Sequence, residues 1–180
     1  KLEDYKTRVL ETEDYDTIMG LEGVASKVFF SHWYLSMGWH GRKPRTKIDF
    51  INTTLDIGYT YLFYFVECML QLYGFDLYKG VYHRSFYQRK SLVCDIVEPF
   101  RCIIDNAVKK GFSLGVIKKE NFTKLGGQYI LNKDQNKAYT QWLMRNIMEH
   151  KSEIFKYVQA YYRAFIRNKA IVEYPTFKYK

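Results

Sequence analysis

The sequence predicts a predominantly α fold, a multi-helix domain with at most one short β-hairpin, and three observations carry that reading. Apolar residues recur at helical spacing over three long stretches, 12–37, 48–73 and 133–169. Only 3 Pro and 11 Gly interrupt the 180 residues, which leaves room for long helices. A strand signal stands after Gly126-Gly127, where a turn leads into Gln128 to Leu131. With 47% hydrophobic residues the chain has ample material for a buried core, and one helical domain over 1–180 is expected. Because 17 Tyr and 13 Phe are among those residues, much of the core must be ring packing, with phenol hydroxyls seeking partners.

The elements follow in order. A first helix is expected over 12–37, with Ile18, Leu21, Ala25, Val28, Phe29 and Tyr34 on its period and Thr12 as N-cap. Residues 38–47, with Trp39, His40, Gly41, Arg42, Lys43, Pro44 and Arg45, combine turn residues and charge and read as an exposed loop. Residues 48–73 form the most apolar stretch, yet Asp49, Asp56 and Glu67 leave no uncharged run of about 18 residues, as a membrane span needs. A buried central helix fits, closed by Gly74. Residues 77–88 read as a loop that brings His83 near the next helix, which starts at Ser91. Pro99 lacks an N–H and disfavours the helical conformation of the residue before it, so a kink or break is expected at Glu98. Residues 111–119 read as a connector. From 133 to 169 the helical period resumes through Tyr139, Trp142, Leu143, Ile147, Ile154, Val158, Tyr161 and Phe165, ahead of a basic tail at Lys178 and Lys180.

Lys and Arg outnumber Asp and Glu by 28 to 19, and the formal charge of +9 favours a polyanionic partner, nucleic acid or an acidic membrane surface. The apolar residues are distributed over several helices and form no single amphipathic surface stripe, which argues against a membrane-surface helix protein. Cys68, Cys94 and Cys102 are odd in number and form no CxxC pair, so neither a disulfide framework nor a structural zinc site is indicated. A reduced, cytoplasmic location is expected, since the charged start of the chain has no apolar h-region. Lys1 in place of an initiating Met is what a fragment would show.

Glu22, His83 and the Asp95 and Glu98 pair are the residues able to hold a divalent metal. On a helix, carboxylates three apart leave the same face and repel unless a cation lies between them. Oxygen ligands with one imidazole suit Mg²⁺ or Mn²⁺ better than zinc. A D-x-x-E pair is more commonly a solvated face or an intrahelical pair. Here, however, Glu22 lies among Met19, Leu21, Val24 and Ala25, and Asp95 among Leu92, Val93, Ile96 and Val97, surroundings expected to be buried. Charges there need compensation, from a metal or from basic partners such as Arg84, Lys90 or Arg101. His32, His40 and His150 have no matching carboxylate cluster and are set aside.

Glu22-Gly23-Val24-Ala25 followed by Phe29-Phe30 resembles the E-G-x-x-A and aromatic motif of the CRISPR-associated integrase family, the catalytic subunit of spacer acquisition. Asp49-Phe50-Ile51-Asn52 and Gly58-Tyr59-Thr60 with Leu62 resemble its D-x-x-N helix and G-Y-x-x-L continuation. Gly74-Phe75-Asp76, Gly80 and His83 follow. Ser91-Leu92-Val93-Cys94-Asp95-Ile96-Val97-Glu98-Pro99-Phe100-Arg101 is similar to the S-L-x-x-D-[LI]-x-E-x-F-R signature, and Gly127 to Leu131 to the family's short hairpin. The resemblance spans nearly the whole chain in order. It implies a DNA integrase and endonuclease of the antiviral CRISPR system in which Glu22, His83 and Glu98 hold Mg²⁺ or Mn²⁺ and Asp95 assists as a fourth catalytic residue. Asp95 would bind a second ion, orient a water or position His83. The reaction is transesterification of prespacer 3′-OH ends to the CRISPR repeat.

Arg45, Arg84, Arg89 and Arg101 are the expected phosphate contacts, with Asn52 buttressing the site on the DNA-binding side. The family carries a β-rich domain before its E-G-x-x-A helix, where this chain has about twenty residues. A homodimer of the full-length protein and a small companion adaptation protein are the partners the resemblance implies, besides prespacer and repeat DNA, and no membrane. The rival reading is a non-catalytic basic helical module that binds nucleic acid, its acidic cluster a salt-bridge network.

Overall fold

The computed structural model describes residues 2–39 and 41–179. His40, within the expected 38–47 loop, and Lys180 of the basic tail lie outside the described residues, as does Lys1. The chain divides into two compact units, 1–46 and 47–180.

In the first unit, α1 (Leu2–Leu10) buries no residue fully, although Leu2, Tyr5 and Val9 stand at helical spacing and Tyr5 and Val9 are half-buried. Its charges suit a helix: Glu3 and Asp4 sit in the first turn and Arg8 in the last, each opposite the favourable end of the helix dipole. α2 (Tyr15–Trp33) starts later than expected because Asp14, not Thr12, is the cap. The Asp14 carboxylate accepts from the Thr17 amide at 2.8 Å and the Thr17 hydroxyl at 2.5 Å, while the Thr12 hydroxyl accepts from the Asp14 amide at 3.2 Å. α2 also ends sooner, at Trp33, followed by a 3₁₀ turn at Leu35–Met37 and by Gly38 at φ 62°. Only Leu21 and Phe30 of α2 are buried, and the ring of Phe30 stacks on Tyr34, which meets Trp39 edge-on at 4.9 Å.

The second unit is built around α3 (Phe50–Leu72), the expected central helix. Ile51, Leu55, Gly58, Leu62, Val66 and Leu70 fall three or four apart and form its buried stripe. Each large aliphatic there stabilises the fold by about 1.5–3 kcal/mol. Gly58 marks a close approach, because a Cβ there would run into the Ile104 side chain and meet Leu143 at 3.3 Å. Asp49 caps α3, accepting from the Asn52 amide at 2.7 Å, and Gly74, at φ +72°, closes it.

The expected break is present. α4 (Ser91–Val97) passes through a 3₁₀ turn at Glu98–Phe100 into α5 (Arg101–Ser113). α5 runs past the expected start of the connector, since Gly111 stays helical to let Ile117 and Trp142 pack on its bare Cα. The one short hairpin allowed for is present: β1 (Phe122–Leu125), which left no local signal of its own, pairs antiparallel with β2 (Gln128–Leu131), Phe122 opposite Leu131, across Gly126-Gly127. The last helical stretch is two helices, α6 (Asn136–Glu149) and α7 (Lys151–Ile166), divided at His150. Periodicity hides that break because Ile147 and Ile154, seven apart, keep the stripe in register across it. The C-terminal segment folds back with Tyr174 on Tyr161, Phe177 on Phe100 and Tyr179 on His150. Among the described residues no helix is long and apolar enough to cross a membrane.

Candidate functional site

The loop between α3 and α4 and the helix after it are fastened together before any side-chain chemistry enters. Leu77 is buried, and its carbonyl accepts from the Leu92 amide at 3.0 Å. Leu92, Val93, Ile96 and Val97 face the core as expected, which fixes the remaining face of α4 and with it Asp95. The loop then wraps the Asp95 carboxylate. Val81 and Tyr82 amides donate to Oδ2 at 2.5 and 3.1 Å, and the His83 amide donates to Oδ1 at 2.8 Å. So tight a wrap needs Gly80, where a Cβ would lie 2.8 Å from the Ser91 Cβ and 2.9 Å from Asp95 Oδ2.

His83 Nδ1 stands 2.6 Å from the same Oδ1. An ionised carboxylate only accepts, so Nδ1 carries the proton, and in the neutral ring Nε2 keeps its lone pair. That is the relation of a metal-ligating histidine to the carboxylate that orients it. Of the three roles open to Asp95 in the sequence, the geometry favours positioning His83. The side chains are 8% exposed for Asp95 and 17% for His83.

Glu98 lies one turn further on and is bound differently. Its side chain is 38% exposed, and Arg101 Nη1 donates to both carboxylate oxygens, at 3.1 and 3.0 Å. The Arg101 guanidinium lies over the Tyr59 ring, 4.6 Å from its centre, and the Tyr59 hydroxyl donates to the buried Asp105 at 2.5 Å. Burial works against the Arg101 charge, but the Tyr59 phenol oxygen and Glu98 outweigh it, so the guanidinium pKa lies above its ordinary value. Asp95 and Glu98 therefore share a helical face without sharing a partner. A second pair, Lys90 and Glu67, is 2.5 Å apart on the buried side of α3, with Glu67 Oε2 left without a partner.

The surroundings expected for Glu22 are not found. Met19 and Val24 are 42% and 47% exposed and Glu22 itself is exposed, because the buried stripe of α2 is confined to Leu21 and Phe30. Glu22 belongs to the unit 1–46, and His83, Asp95 and Glu98 to the unit 47–180. Among the described residues no group of three or more His, Cys, Asp and Glu side chains is gathered closely enough to hold a metal. The donors within 47–180 nonetheless suit a hard divalent cation: an imidazole whose Nδ1 is held by Asp95, and a half-exposed carboxylate.

The expected DNA contacts separate into two kinds. Arg45, at φ 63°, and Arg84 and Arg89, in the loop before α4, are exposed. Asn52 is fully buried and its side-chain amide donates to Asp49 at 2.6 Å, which suits a buttress and not a contact. Gly80, the amides of Val81 and Tyr82, and the Tyr59–Asp105 pair complete the site. Sequence reasoning did not single out their roles, although Tyr59 and Gly80 stand in the motifs that carry the family resemblance.

This fold is shared with solved structures. A casposase bound to its integration product superposes with a TM-score of 0.84 at 19% identity, over 97% of this chain and 55% of that one. A partial Cas6-RT-Cas1–Cas2 complex gives 0.86 at 22% identity, over 99% and 58%. The family model for CRISPR associated protein Cas1 matches residues 1–144, and the chain belongs to that family. A relative from Thermodesulfovibrio yellowstonii, CRISPR-associated endonuclease Cas1 1, is 31% identical over 167 residues, covering 87% of this chain and 51% of the relative. The chain thus spans about half the length of that relative or less of other curated ones, such as the 38% matched in a Methanospirillum hungatei endonuclease.

Proposed function

We propose that this chain is the helical catalytic part of a CRISPR-adaptation integrase that joins prespacer 3′-OH ends to the CRISPR repeat by transesterification and cuts DNA when water is the nucleophile. The observation that carries this is the His83–Asp95 pair, an imidazole fixed by a buried carboxylate so that one nitrogen remains free to bind, with Glu98 one turn away. Family membership and the casposase-like fold support it.

His83, Glu98 and Glu22 are the proposed ligands of Mg²⁺ or Mn²⁺. When bound, the cation supplies Lewis-acid polarisation of the scissile phosphate and stabilises charge on the leaving oxygen. The remaining work belongs to the chain. Asp95 holds His83 in one tautomer and orientation. Arg45, Arg84 and Arg89, exposed on loops, offer guanidinium groups to phosphates, and Asn52 stiffens the first turn of α3 through Asp49. Positioning two strands in line and stabilising charge at the phosphate together account for most of the rate in such a reaction, since little covalent chemistry falls to the protein.

The proposed partners are prespacer and repeat DNA, a second copy in the full-length protein, and a small companion of the kind named in the Cas1–Cas2 complex, all within the cell. With a charge of +9, DNA affinity should fall steeply between low and moderate salt.

The test is metal-dependent joining and cleavage by the full-length protein and by its Glu22→Gln, His83→Ala and Glu98→Gln variants. Joining should drop about 100-fold or more in each while DNA binding survives. Metal-dependent turnover retained by all three would refute the assignment, and a basic helical binding module would take its place.

A further inference from the structure

We propose that Arg101 is a positioning residue that acts through Glu98: seated on Tyr59, it holds the Glu98 carboxylate in place and compensates its charge until a divalent cation binds. The proposal rests on the reading of Glu98 as a metal ligand.

The sequence arranges this locally. Glu98 and Arg101 are three apart across the turn that Pro99 imposes, and Asp105 is four beyond Arg101 on α5. Tyr59 reaches them from α3, its hydroxyl anchored on Asp105 and its ring under the guanidinium. An exposed ion pair between two long side chains usually loses its geometry to side-chain entropy. Here the guanidinium has a flat ring beneath it and is 31% exposed, so it is already confined before it meets the carboxylate. A planar fork can stack and donate at once, which a lysine ammonium cannot.

With one Nη1 bridging both oxygens, Glu98 meets an incoming cation as a carboxylate whose charge is matched. A nearby positive charge repels a divalent ion, so Arg101 weakens metal binding while fixing where the carboxylate sits. That differs from the phosphate contact expected of Arg101 from the sequence, because the donors facing Glu98 are committed within the protein.

The experiment is Mn²⁺ titration of the full-length protein, followed by the electron paramagnetic resonance signal of free Mn²⁺, for wild type, Arg101→Gln, Arg101→Lys and Glu98→Gln. DNA affinity is measured in parallel at several salt concentrations. Arg101→Gln should tighten Mn²⁺ binding about 3- to 10-fold. Arg101→Lys, which keeps the charge but loses the fork that seats the carboxylate, should bind Mn²⁺ no more tightly than wild type. Neither should change the salt dependence of DNA binding. Unchanged or weaker Mn²⁺ binding in Arg101→Gln, equal tightening in Arg101→Lys, or a salt slope reduced by about one, the mark of a lost phosphate contact, overturns the proposal. If wild type and Glu98→Gln bind Mn²⁺ alike, Glu98 is no ligand and the functional reading falls with the inference. If they differ and Arg101→Gln matches wild type, the inference alone falls.

Discussion

The Asp95 carboxylate accepts from three backbone amides and the His83 ring and is 8% exposed, whereas the Glu98 carboxylate, three residues on, meets one guanidinium and is 38% exposed. Both are acids at the same α4–α5 junction. The loop 77–88 folds over Asp95, so its oxygens are engaged in holding the loop and the imidazole. Pro99 turns the chain at Glu98 before α5 begins, so that side chain stays at the surface with an exchangeable partner. One carboxylate has become part of the scaffold and the other is available to a ligand, a division that residue type and spacing alone would not reveal.

The division breaks first at Asp95. Asp95→Asn keeps the shape, but an amide has one acceptor oxygen for four donors and sets its NH₂ against some of them. Urea unfolding should show a loss of about 3 kcal/mol. Gly80→Ala probes the same wrap from the loop side. Its Cβ would run into the His83 backbone carbonyl as well as the Ser91 side chain and the Asp95 oxygen, so the loop itself must shift, and a loss of about 1–3 kcal/mol is expected by the same measurement. Glu98→Gln removes only a partly exposed pair, so unfolding in metal-free buffer should shift by about 1 kcal/mol or less. A loss as large as that of Asp95→Asn would place Glu98 in the scaffold too.

The smallest effect sharpens the comparison at alkaline pH. Burial, followed by the charges of Tyr174 and Asp95, pushes the Tyr161 phenol up to about 12, while Tyr139 reaches about 12 through burial and, more weakly, Glu120. A raised folded-state pKa means that the unfolded chain loses its proton first. The stability from these phenols is therefore full below about pH 10 and is lost as pH rises toward 12. In ultraviolet titration Asp95→Asn should lower the ionisation pH of Tyr161 and leave that of Tyr139 unmoved.

Much of this was legible in the sequence where a local rule acts alone. Pro99 marks the break at Glu98, Gly74 and Gly126-Gly127 mark their turns, and the apolar period of α3 marks the central helix. Legibility failed where two signals competed or none existed. Asp14 took the cap from Thr12 because its carboxylate reaches both groups of Thr17, and Ile147 and Ile154 kept their period through the break at His150. α1 left only a weak signal because its period, Leu2, Tyr5 and Val9, is short and lies in a highly charged segment, and Gly111 read as a connector because its packing partners, Ile117 and Trp142, are tertiary. At the site, the residue types of His83, Asp95 and Glu98 could be read, but not their division of labour. The groups that hold Asp95 are backbone amides, which every residue but proline possesses. The exposure of Glu22 was likewise hidden, because neighbouring apolar letters do not reveal how wide a buried stripe will be.

The central claim is that Asp95 fixes His83 with Nδ1 protonated and Nε2 ready to bind. The direct measurement is the long-range proton–nitrogen correlation spectrum of the His83 ring, recorded above the imidazole pKa for the ¹⁵N-labelled protein and its Asp95→Asn variant. The account predicts a single tautomer in the wild type, proton on Nδ1 and none on Nε2, and a mixture in the variant. A wild-type ring protonated on Nε2, or a tautomer distribution that Asp95→Asn leaves unchanged, would contradict it.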